Sequence, residues 1–562
     1  VTRHVEIQGP CNVTADGTTL LVNATLKFVE TARLDGKLSV KAMNALQGPC
    51  LAFKSDAVVA ASAELRFANC HNIARRLRPN DDDDIPEAAE VDGGAMNVRG
   101  SLMVMGTLII RDCGAEYGNG GAIAVKKDFF HSNGSISIIN SSAGQYGGSI
   151  HVNQSFVHTG GSISVERTSA KNGGAIYVEQ NFNHSGGNIS VEGSSAVGNA
   201  GAICVNKHFA QSGGSIAVMN SSAQKSGGAI YVWRSFNHLG GNISVEGSSA
   251  KVDGGAIYVK KHFTQSGGSL AVMNSSARIE GGAIYVYKNF NHSGGNISIE
   301  GSSAVFGGAI CVWEDFTQSG GSLAVMNSSG KDSGGAIYVD YDFTQSGGSI
   351  AVMNSSAAGS GGAIKVKNFN HSGGNISVEG SSAGYGGAIC VNQHFTQSGG
   401  SLAVTNSSAQ VSGGGLYVGG RMVFTNVMAT FSQCHAGIGG GSIKTTGAMR
   451  ITNASLSFEL ATTDGRGAAL MGYSLEQVGG RMTVYNSYAS GDVIGVAAWA
   501  IDGGSFRIEH CKSNSALIAA KRGNLHATSF DVANCSAAGM LVSSQVLLRN
   551  SVFNKTSLPQ VR

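Results

Sequence analysis

Residues 254–280 read GGAIYVKKHFTQSGGSLAVMNSSARIE, and this stretch decides the fold because close copies of it recur along the chain. No pattern with a 3.6-residue period survives in it, which indicates strands and not helices. Each copy opens with Gly-Gly-Ala-Ile or a near variant, and the intervals between copies are 25 to 27 residues. The copies begin at Gly120, Gly147, Gly173, Ala200, Gly227, Gly254, Gly281, Gly307, Gly334, Gly361, Gly386, Gly413 and Gly440.

The repeated unit consists of short apolar runs separated by glycine pairs, as is typical of strands joined by tight turns. Such a unit cannot bury its own apolar face, so it must stack on copies of itself. Parallel crossovers are overwhelmingly right-handed. The sequence therefore predicts an all-β fold, a right-handed parallel β-helix (a β-solenoid) with about 27 residues and three strands per coil.

Strand alternation predicts which side chains of a coil face the interior. Ile257 and Val259 keep apolar equivalents in almost every copy and are predicted to point inward. The Tyr258 position changes between Tyr, Cys, His, Lys and Ala and is predicted to point outward. Phe263 has a phenylalanine equivalent in each consecutive copy from Phe156 to Phe395, which predicts an internal stack of phenylalanines.

The composition agrees with a packed repeat protein. The chain has 562 residues, of which 82 are glycine and 5 proline, and only 13% are charged, about half the usual quarter. The formal net charge is +3, without a long basic run, so nucleic acid is not expected as a partner. No stretch of about 18 apolar residues occurs, and no membrane span is predicted.

The sequence divides into three predicted segments. Residues 1–119 are drifted N-terminal coils with an exposed acidic loop inserted at 75–90, residues 120–445 are the regular repeat, and residues 446–562 are drifted C-terminal coils. Both ends are assigned to the solenoid because FANCHN and VANCSA occupy the corner that reads MNSSA in the middle of the chain.

Residues 95–445, and more weakly the rest, resemble the repeat of the chlamydial polymorphic outer membrane proteins. The resemblance rests on GGAI, on one Phe per coil, and on a corner ending in Ser-Ala or Cys-x-Ala. Those proteins are surface adhesins of the autotransporter type, whose passengers carry GGA[ILV] and FxxN motifs on a parallel β-helix. The second motif differs here, since it reads mostly FTQS or FNHS. The resemblance implies the fold and a surface location.

Asn-X-Ser/Thr sequons are frequent, and five of them lie outside the regular repeat, which predicts passage through a secretory pathway and N-linked glycans. The predicted glycosylation sites are Asn12, Asn23, Asn133, Asn140, Asn153, Asn183, Asn188, Asn220, Asn242, Asn274, Asn291, Asn296, Asn327, Asn354, Asn370, Asn375, Asn406, Asn453, Asn534 and Asn554.

The cysteines predict disulfides that clip the two ends of the solenoid and leave the middle unclipped. Equivalent positions in consecutive coils lie about 4.8 Å apart, within the range that a disulfide accepts. The alternative is that all ten cysteines are small residues packed at corners, where other coils have serine. The candidates, which match in pairs, are Cys11 and Cys50, Cys70 and Cys113, and Cys511 and Cys535.

No catalytic residue, metal ligand or cofactor is predicted. Residues that recur in every second coil lie about 9.6 Å apart, too far to converge on one substrate atom or one ion. On that ground Glu192, Glu246 and Glu300 are predicted to form a solvated stripe, and His184, His238 and His292 to be surface histidines opposite Gln265 and Gln318. The acidic residues that are densest in the repeat, and that are not expected to converge, are Glu314, Asp315, Asp332, Asp340 and Asp342.

These observations predict a non-enzymatic, extracellular or cell-surface β-helix, an adhesin or a filament subunit that carries N-linked glycans. Its expected partners are a second copy end to end, other surface proteins or carbohydrate. The alternative is a carbohydrate-active β-helix enzyme, a polysaccharide lyase or hydrolase, which would carry clustered carboxylates on one face.

Overall fold

The computed structural model describes residues 5–75, 91–542, 546–548 and 553–556. The described residues form strands and turns without any helix. The predicted parallel β-solenoid is confirmed, since strands stack about 27 residues apart in about 18 turns. The chain divides into two compact units, Val1–Tyr287 and Lys288–Arg562, and this division falls inside the regular repeat. The predicted loop at 75–90 lies outside the described residues except for Arg75.

One regular coil contains three strands of three to five residues and a fourth of two residues. In one coil of the first unit these strands are Ile176–Val178, Phe182–His184, Asn188–Glu192 and Ser195–Ala196. Each strand pairs in parallel with its own equivalent in the next coil, for example Ile176 with Ile203 and Phe182 with Phe209. The four stacks are named here the Ile ladder, the Phe ladder, the third ladder and the corner ladder.

The first unit contributes strands to all four ladders. Three of its strands pass through both the Phe ladder and the third ladder without a break: Cys11–Val22, Ala32–Ala42 and Phe263–Met273. The Ile ladder contains Val5–Ile7, Leu26–Phe28, Leu51–Phe53, Met96–Val98, Ile123–Val125, Ile150–Val152, Ile176–Val178, Ile203–Val205, Ile230–Val232, Ile257–Val259 and Ile284–Val286. The Phe and third ladders contain Cys11–Val22, Ala32–Ala42, Ala57–Val59, Glu64–Ala68, Leu102–Val104, Thr107–Arg111, Phe129–His131, Ser135–Ile139, Phe156–His158, Ser162–Glu166, Phe182–His184, Asn188–Glu192, Phe209–Gln211, Ser215–Met219, Phe236–His238, Asn242–Glu246 and Phe263–Met273. The corner ladder contains His71–Asn72, Gly114–Ala115, Ser142–Ala143, Ser169–Ala170, Ser195–Ala196, Ser222–Ala223, Ser249–Ala250 and Ser276–Ala277.

The second unit repeats this plan. Its strands in the Ile, Phe and third ladders are Phe290–Glu300, Ile310–Val312, Phe316–Gln318, Ser322–Met326, Ile337–Met353, Ile364–Glu379, Ile389–Val391, Phe395–Gln397, Ser401–Thr405, Leu416–Val418, Met422–Thr425, Met428–Ser432, Ile443–Thr445, Ala448–Thr452, Ser455–Glu459, Leu470–Val478, Arg481–Tyr485, Ile494–Asp502, Ser505–Glu509, Ala516–Ala519, Arg522–His526, Ser529–Ala533, Gly539–Val542, Val546–Leu548 and Phe553–Thr556. Its corner ladder contains Ser303–Phe306, Ser329–Ser333, Ser356–Ala357, Ser382–Tyr385, Ser408–Ser412, His435–Ala436, Thr462–Thr463, Tyr488–Ala489 and Lys512–Ser513.

The core of each unit consists of apolar side chains at equivalent positions of consecutive coils, which stack on one another. Ile257, Val259 and Phe263 are fully buried, as are their equivalents throughout the regular repeat. Ring centroids in the phenylalanine stack lie 4.5 to 5.0 Å apart between Phe129 and Phe263. This spacing is close to the strand spacing of a parallel sheet, so the predicted stack of phenylalanines is confirmed.

Candidate functional site

One face of the first unit combines titratable, aromatic and basic side chains, and it is named here the Tyr face. Three positions of each coil contribute to it: the middle residue of the Ile strand, the residue that follows this strand, and the residue that precedes the glycine pair. In one coil these are Tyr258, Lys260 and Asp253.

Alternation places the middle residues of the Ile strands on the side opposite the inward Ile and Val side chains, as predicted. From Leu51–Phe53 to Ile284–Val286 these residues are nevertheless buried, so this side of the strands is covered. Tyr177, Tyr231 and Tyr258 are only 5 to 7% exposed. The segment before each glycine pair folds over them, and Tyr146 stacks on Tyr177 with a centroid distance of 4.6 Å. In the second unit Cys311 and Cys390 are buried, whereas Tyr338, Lys365 and Tyr417 are half-buried.

Glycine at the first position of the pair makes this covering possible. Gly173 has a φ of +62°, and a Cβ there would lie 2.6 Å from the Ile176 carbonyl oxygen. Real Cβ atoms do not approach a backbone oxygen this closely, and φ near +60° disfavours L side chains. The glycine therefore lets the preceding segment lie directly against the Tyr face.

At the N-terminal end of the Tyr face, a buried aspartate is held ionised. Burial opposes ionisation of Asp92, but the Lys126 ammonium and the Asn119 backbone amide, 2.9 Å from Oδ1, outweigh it and keep the pKa of Asp92 low. Burial lowers the pKa of the neighbouring His151 to about 4. The Glu179 carboxylate lies 4.0 Å from the His151 ring and accepts a hydrogen bond from Asn206 Nδ2 at 2.7 Å. Asp92 and Glu179 therefore accept hydrogen bonds from neighbouring coils, whereas both ring nitrogens of His151 are buried without a hydrogen-bond partner among the described residues.

Near the other end of the first unit, two acidic residues are neighbours in consecutive coils. Asp253 and Glu280 form a parallel bridge directly before their glycine pairs. Burial, followed by the Glu280 charge, raises the pKa of Asp253 to about 7, although the nearby Lys260 opposes this shift. A carboxyl group that titrates near neutrality can serve as a general acid. Sequence reasoning missed this pair, because the residue before the glycine pair varies between coils and is Asn, Ser, Tyr or Phe in most of them.

The histidines that were predicted to lie on the surface are fully buried, so that prediction is wrong. His184, His238 and His292 are at most 1% exposed, and so are Gln265 and Gln318. Each of these His and Gln residues comes two positions after the inward Phe of its strand. Because side chains two apart in a strand point to the same side, this spacing was the signal that places them inside.

The buried His and Gln side chains bind the carbonyl groups of the glycine turns. His184 Nε2 donates to the Gly187 carbonyl at 3.4 Å, and His238 Nε2 donates to the Gly241 carbonyl at 3.3 Å. Burial lowers the pKa of both histidines. Since buried backbone carbonyls need donors, this column satisfies the turns from the inside.

Most predicted glycosylation sites are accessible. Of the predicted sites whose side chains are described, all are exposed except Asn153, which is half-buried. The side chain of Asn554 lies outside the described residues. One set of these asparagines has a positive φ of 49 to 53° at the corner of the coil, a backbone conformation that favours Gly and Asn. This set comprises Asn140, Asn220, Asn274, Asn327, Asn354, Asn406, Asn453 and Asn534.

Among the described residues, one disulfide joins Cys50 and Cys70, with a Cα–Cα distance of 5.9 Å. It differs from the predicted pairs. Cys11 aligns with Ala32 in the Phe ladder, whereas Cys50 directly precedes a strand of the Ile ladder, so Cys11 and Cys50 cannot meet. Cys113 occupies the corner next to Cys70 but is a free, buried thiol, and burial raises its pKa to about 12.

At the other end, Cys511 and Cys535 are neighbours in consecutive coils. The Cys511 amide donates to Cys535 Sγ at 3.3 Å, and both residues are free thiols. The hydrogen bond from the Cys511 thiol lowers the pKa of Cys535 to about 7. A disulfide between these two cysteines stays a prediction. Ser487 is buried at the corner position that Cys511 occupies in the following coil. This is what the alternative predicts, in which the cysteines are small residues packed at corners.

The described part of the chain contains neither a cluster of metal-binding side chains nor a helix that could span a membrane. Glu192, Glu246 and Glu300 are exposed. In the acidic stretch, Asp315 Oδ1 accepts a hydrogen bond from the backbone amide of Asp342 at 3.2 Å. No group of three His, Cys, Asp or Glu side chains among the described residues is arranged to hold a metal ion. The same residues include no helix with the length and apolarity to cross a membrane.

Comparison with known proteins adds no assignment, because no family model, no curated protein and no solved structure matches the chain.

Proposed function

We propose that this chain is a non-enzymatic, N-glycosylated structural β-helix of the cell surface or extracellular space, acting as an adhesin or as a filament subunit. The observation that carries the proposal is the sequon set at the start of the third ladder. Asn188 and Asn242 are exposed there, and serine replaces them in the intervening coils. The backbone φ is not positive at these positions, so the strand geometry does not require asparagine.

The local geometry is compatible with a glycan at these sites. Asn188 Oδ1 accepts a hydrogen bond from Ser215 Oγ at 2.6 Å, and Asn242 Oδ1 accepts one from Ser269 Oγ at 2.8 Å. An N-linked glycan is attached at Nδ2 and leaves the oxygen in place. The resemblance to the repeats of bacterial surface adhesins supports the same class of function.

Glycopeptide mass spectrometry of the native protein tests the secretory part of the proposal. We expect glycans at Asn188 and Asn242, and less occupancy at the half-buried Asn153. A native protein in which every sequon is bare contradicts the proposal. Electron microscopy of the same material tests the filament form, for which end-to-end assemblies are the expected result.

A second candidate function rests on the Asp253 and Glu280 pair. A carboxyl group with a pKa near 7 beside a second carboxylate shares one feature with carbohydrate-active enzymes, whose general acid has a raised pKa. Incubation with uronate-containing polysaccharides, followed by measurement of new reducing ends, tests this alternative. Cleavage by the native protein that disappears in Asp253→Asn establishes the enzyme, and intact polymer with both proteins supports the structural proposal.

A further inference from the structure

Three basic residues occupy the same position in three consecutive coils of the first unit, one residue farther along the chain than Lys260. The backbone amide of Arg234 donates to the Lys207 carbonyl, and that of Lys261 donates to the Arg234 carbonyl, each at 3.1 Å. Arg234 and Lys261 are exposed and Lys207 is half-buried. The backbone therefore holds three cations in a row, spaced by about one strand spacing of 4.8 Å.

This row is named here the basic ladder, and its charges are not neutralised by the protein. Among the described residues, none of Lys207, Arg234 and Lys261 forms an ion pair. The preceding coil carries the uncharged Gln180 at the same position. The carboxylate of the adjacent Glu179 accepts a hydrogen bond from Asn206. Like charges stacked in neighbouring strands repel each other. An anionic ligand bound along the ladder would relieve this repulsion, and the relief favours binding.

Aromatic and cationic side chains extend the basic ladder on one side. Trp233 is 49% exposed directly before Arg234. Lys260 lies in the coil after Trp233, with its Nζ 3.9 Å from the centroid of the Tyr287 ring. Burial, followed by the charges of Arg234 and Lys207, lowers the pKa of the exposed His208, which indicates a positive local potential. A flat aromatic ring beside cations can stack on a sugar ring whose acidic groups contact the cations.

We propose that the basic ladder with Trp233 binds an acidic polysaccharide, a sulfated or uronate-rich chain, along the stacking direction of the coils. An extended polysaccharide advances by roughly one coil spacing per sugar unit, so successive acidic groups meet successive rungs. The proposal rests on the extracellular location proposed above. A single-stranded nucleic acid is the rival ligand, but the chain has a net charge of only +3 and lacks the broad positive field that nucleic-acid binders present.

The test uses the full-length protein and heparin, a sulfated polysaccharide, as the probe. The variant Lys207→Gln/Arg234→Gln/Lys261→Gln removes three positive charges from half-buried or exposed positions. We expect it to bind heparin roughly tenfold or more weakly, and with a shallower dependence on salt. Trp233→Ala should weaken binding at every salt concentration without changing that dependence, because it removes stacking and no charge.

The matched control is Lys225→Gln/Lys251→Gln/Arg278→Gln, which removes the same charge from exposed positions in the same unit. Wild-type affinity in this control supports the proposal, whereas equal losses in both triple variants overturn it by showing attraction to net charge alone. Binding of a poly-dT oligonucleotide as tight as that of heparin, with the same loss in the ladder variant, overturns the polysaccharide assignment in favour of nucleic acid.

Failure of this inference is distinguishable from failure of the proposed function. Native protein that carries glycans at Asn188 but does not bind heparin overturns the inference and leaves the structural proposal standing. Heparin that binds to the ladder and is cleaved there overturns the non-enzymatic assignment but keeps the binding site.

Discussion

The Nε2 atom of Gln211 donates a hydrogen bond to the backbone carbonyl of Asn242, 3.2 Å away in the following coil. The same atom lies 3.3 Å from the Gly213 carbonyl of its own turn. Gln211 is fully buried, so a polar side chain inside the solenoid links the glycine turn of one coil to a strand of the next. Gln318 repeats this contact with the Ser349 carbonyl at 3.1 Å in the second unit.

Replacement of Gln211 by Leu should destabilise the turn. The variant leaves buried carbonyls without a donor, which costs about 1–3 kcal/mol per group. Amide hydrogen exchange at residues 212–214 and 242 should accelerate accordingly. Gln211→His is the control, because histidine fills the equivalent positions in the adjacent coils as His184 and His238. Exchange in the Leu variant that matches the native rate contradicts the assigned role.

The stacked histidines should make the first unit less stable in mild acid. His131, His158 and His184 lie in consecutive coils with ring centroids 4.9 Å apart. Burial lowers the pKa of His131 to about 4 and that of His158 to about 3, below the unfolded value of 6.5. The unfolded chain therefore binds more protons, and stability falls as the pH drops from about 6.5 towards 4.

Unfolding by urea between pH 7 and pH 4.5 measures this dependence. His158→Gln should flatten it, because glutamine is tolerated in this column and does not titrate. His262→Gln, a substitution at an exposed position, should leave it unchanged. A His158→Gln variant with the full native acid sensitivity would show that other groups cause it.

Asn274 separates the backbone role of a corner asparagine from its role as a glycan acceptor. Its φ of +51° favours Gly or Asn, and Gly247 has a φ of +61° at the same corner of the preceding coil. Asn274→Gly should therefore keep the native stability, whereas Asn274→Val should lose about 1–2 kcal/mol. Both variants remove the sequon, so thermal unfolding of unglycosylated protein checks the backbone effect alone. Equal stabilities for the two variants would refute it.

Removal of the Asp253 charge should stabilise the first unit at alkaline pH. The folded pKa of about 7 lies above the ordinary aspartate value of 3.8, so the folded state holds the proton more tightly and stability is lost as the pH rises from about 4 towards 7. Asp253→Asn abolishes this loss and should raise the unfolding midpoint at pH 8 more than at pH 4. Glu280→Gln should lower the pKa of Asp253, as carboxyl NMR titration would reveal. An unchanged pKa would exclude Glu280 as a cause.

Reduction of the Cys50–Cys70 disulfide should loosen the N-terminal coils. The bond closes a segment of 20 residues, and cross-links of this length stabilise by roughly 3 kcal/mol. Cys50→Ser/Cys70→Ser should therefore speed proteolysis near residues 26–75 and leave the cleavage of residues 400–450 unchanged. Non-reducing peptide mapping provides the direct check, with one cross-linked peptide expected and Cys113 recovered as a thiol. A Cys70–Cys113 peptide would contradict the structure.

The sequence by itself determined the β-solenoid, its coil length and the inward Ile, Val and Phe positions. A period of about 27 residues is read along the chain and requires no knowledge of long-range contacts. It also contained the position of the buried histidines, because His184 lies two residues after Phe182, and residues two apart in a strand share a side. Histidine and glutamine alternate at this position in consecutive coils, as in His184, Gln211 and His238. Each residue type therefore recurs only in every second coil, which concealed that the whole position is internal.

Only the tertiary structure decided what covers each side of a strand. Alternation assigns Tyr258 to the side opposite Ile257, but it does not reveal that the segment before the glycine pair folds over that side and buries the tyrosine. It likewise does not reveal that Cys50 meets Cys70 within one coil, or that Asp253 and Glu280 share one environment. These contacts depend on how turns of unequal sequence place their side chains across coils, and periodicity carries no information about them.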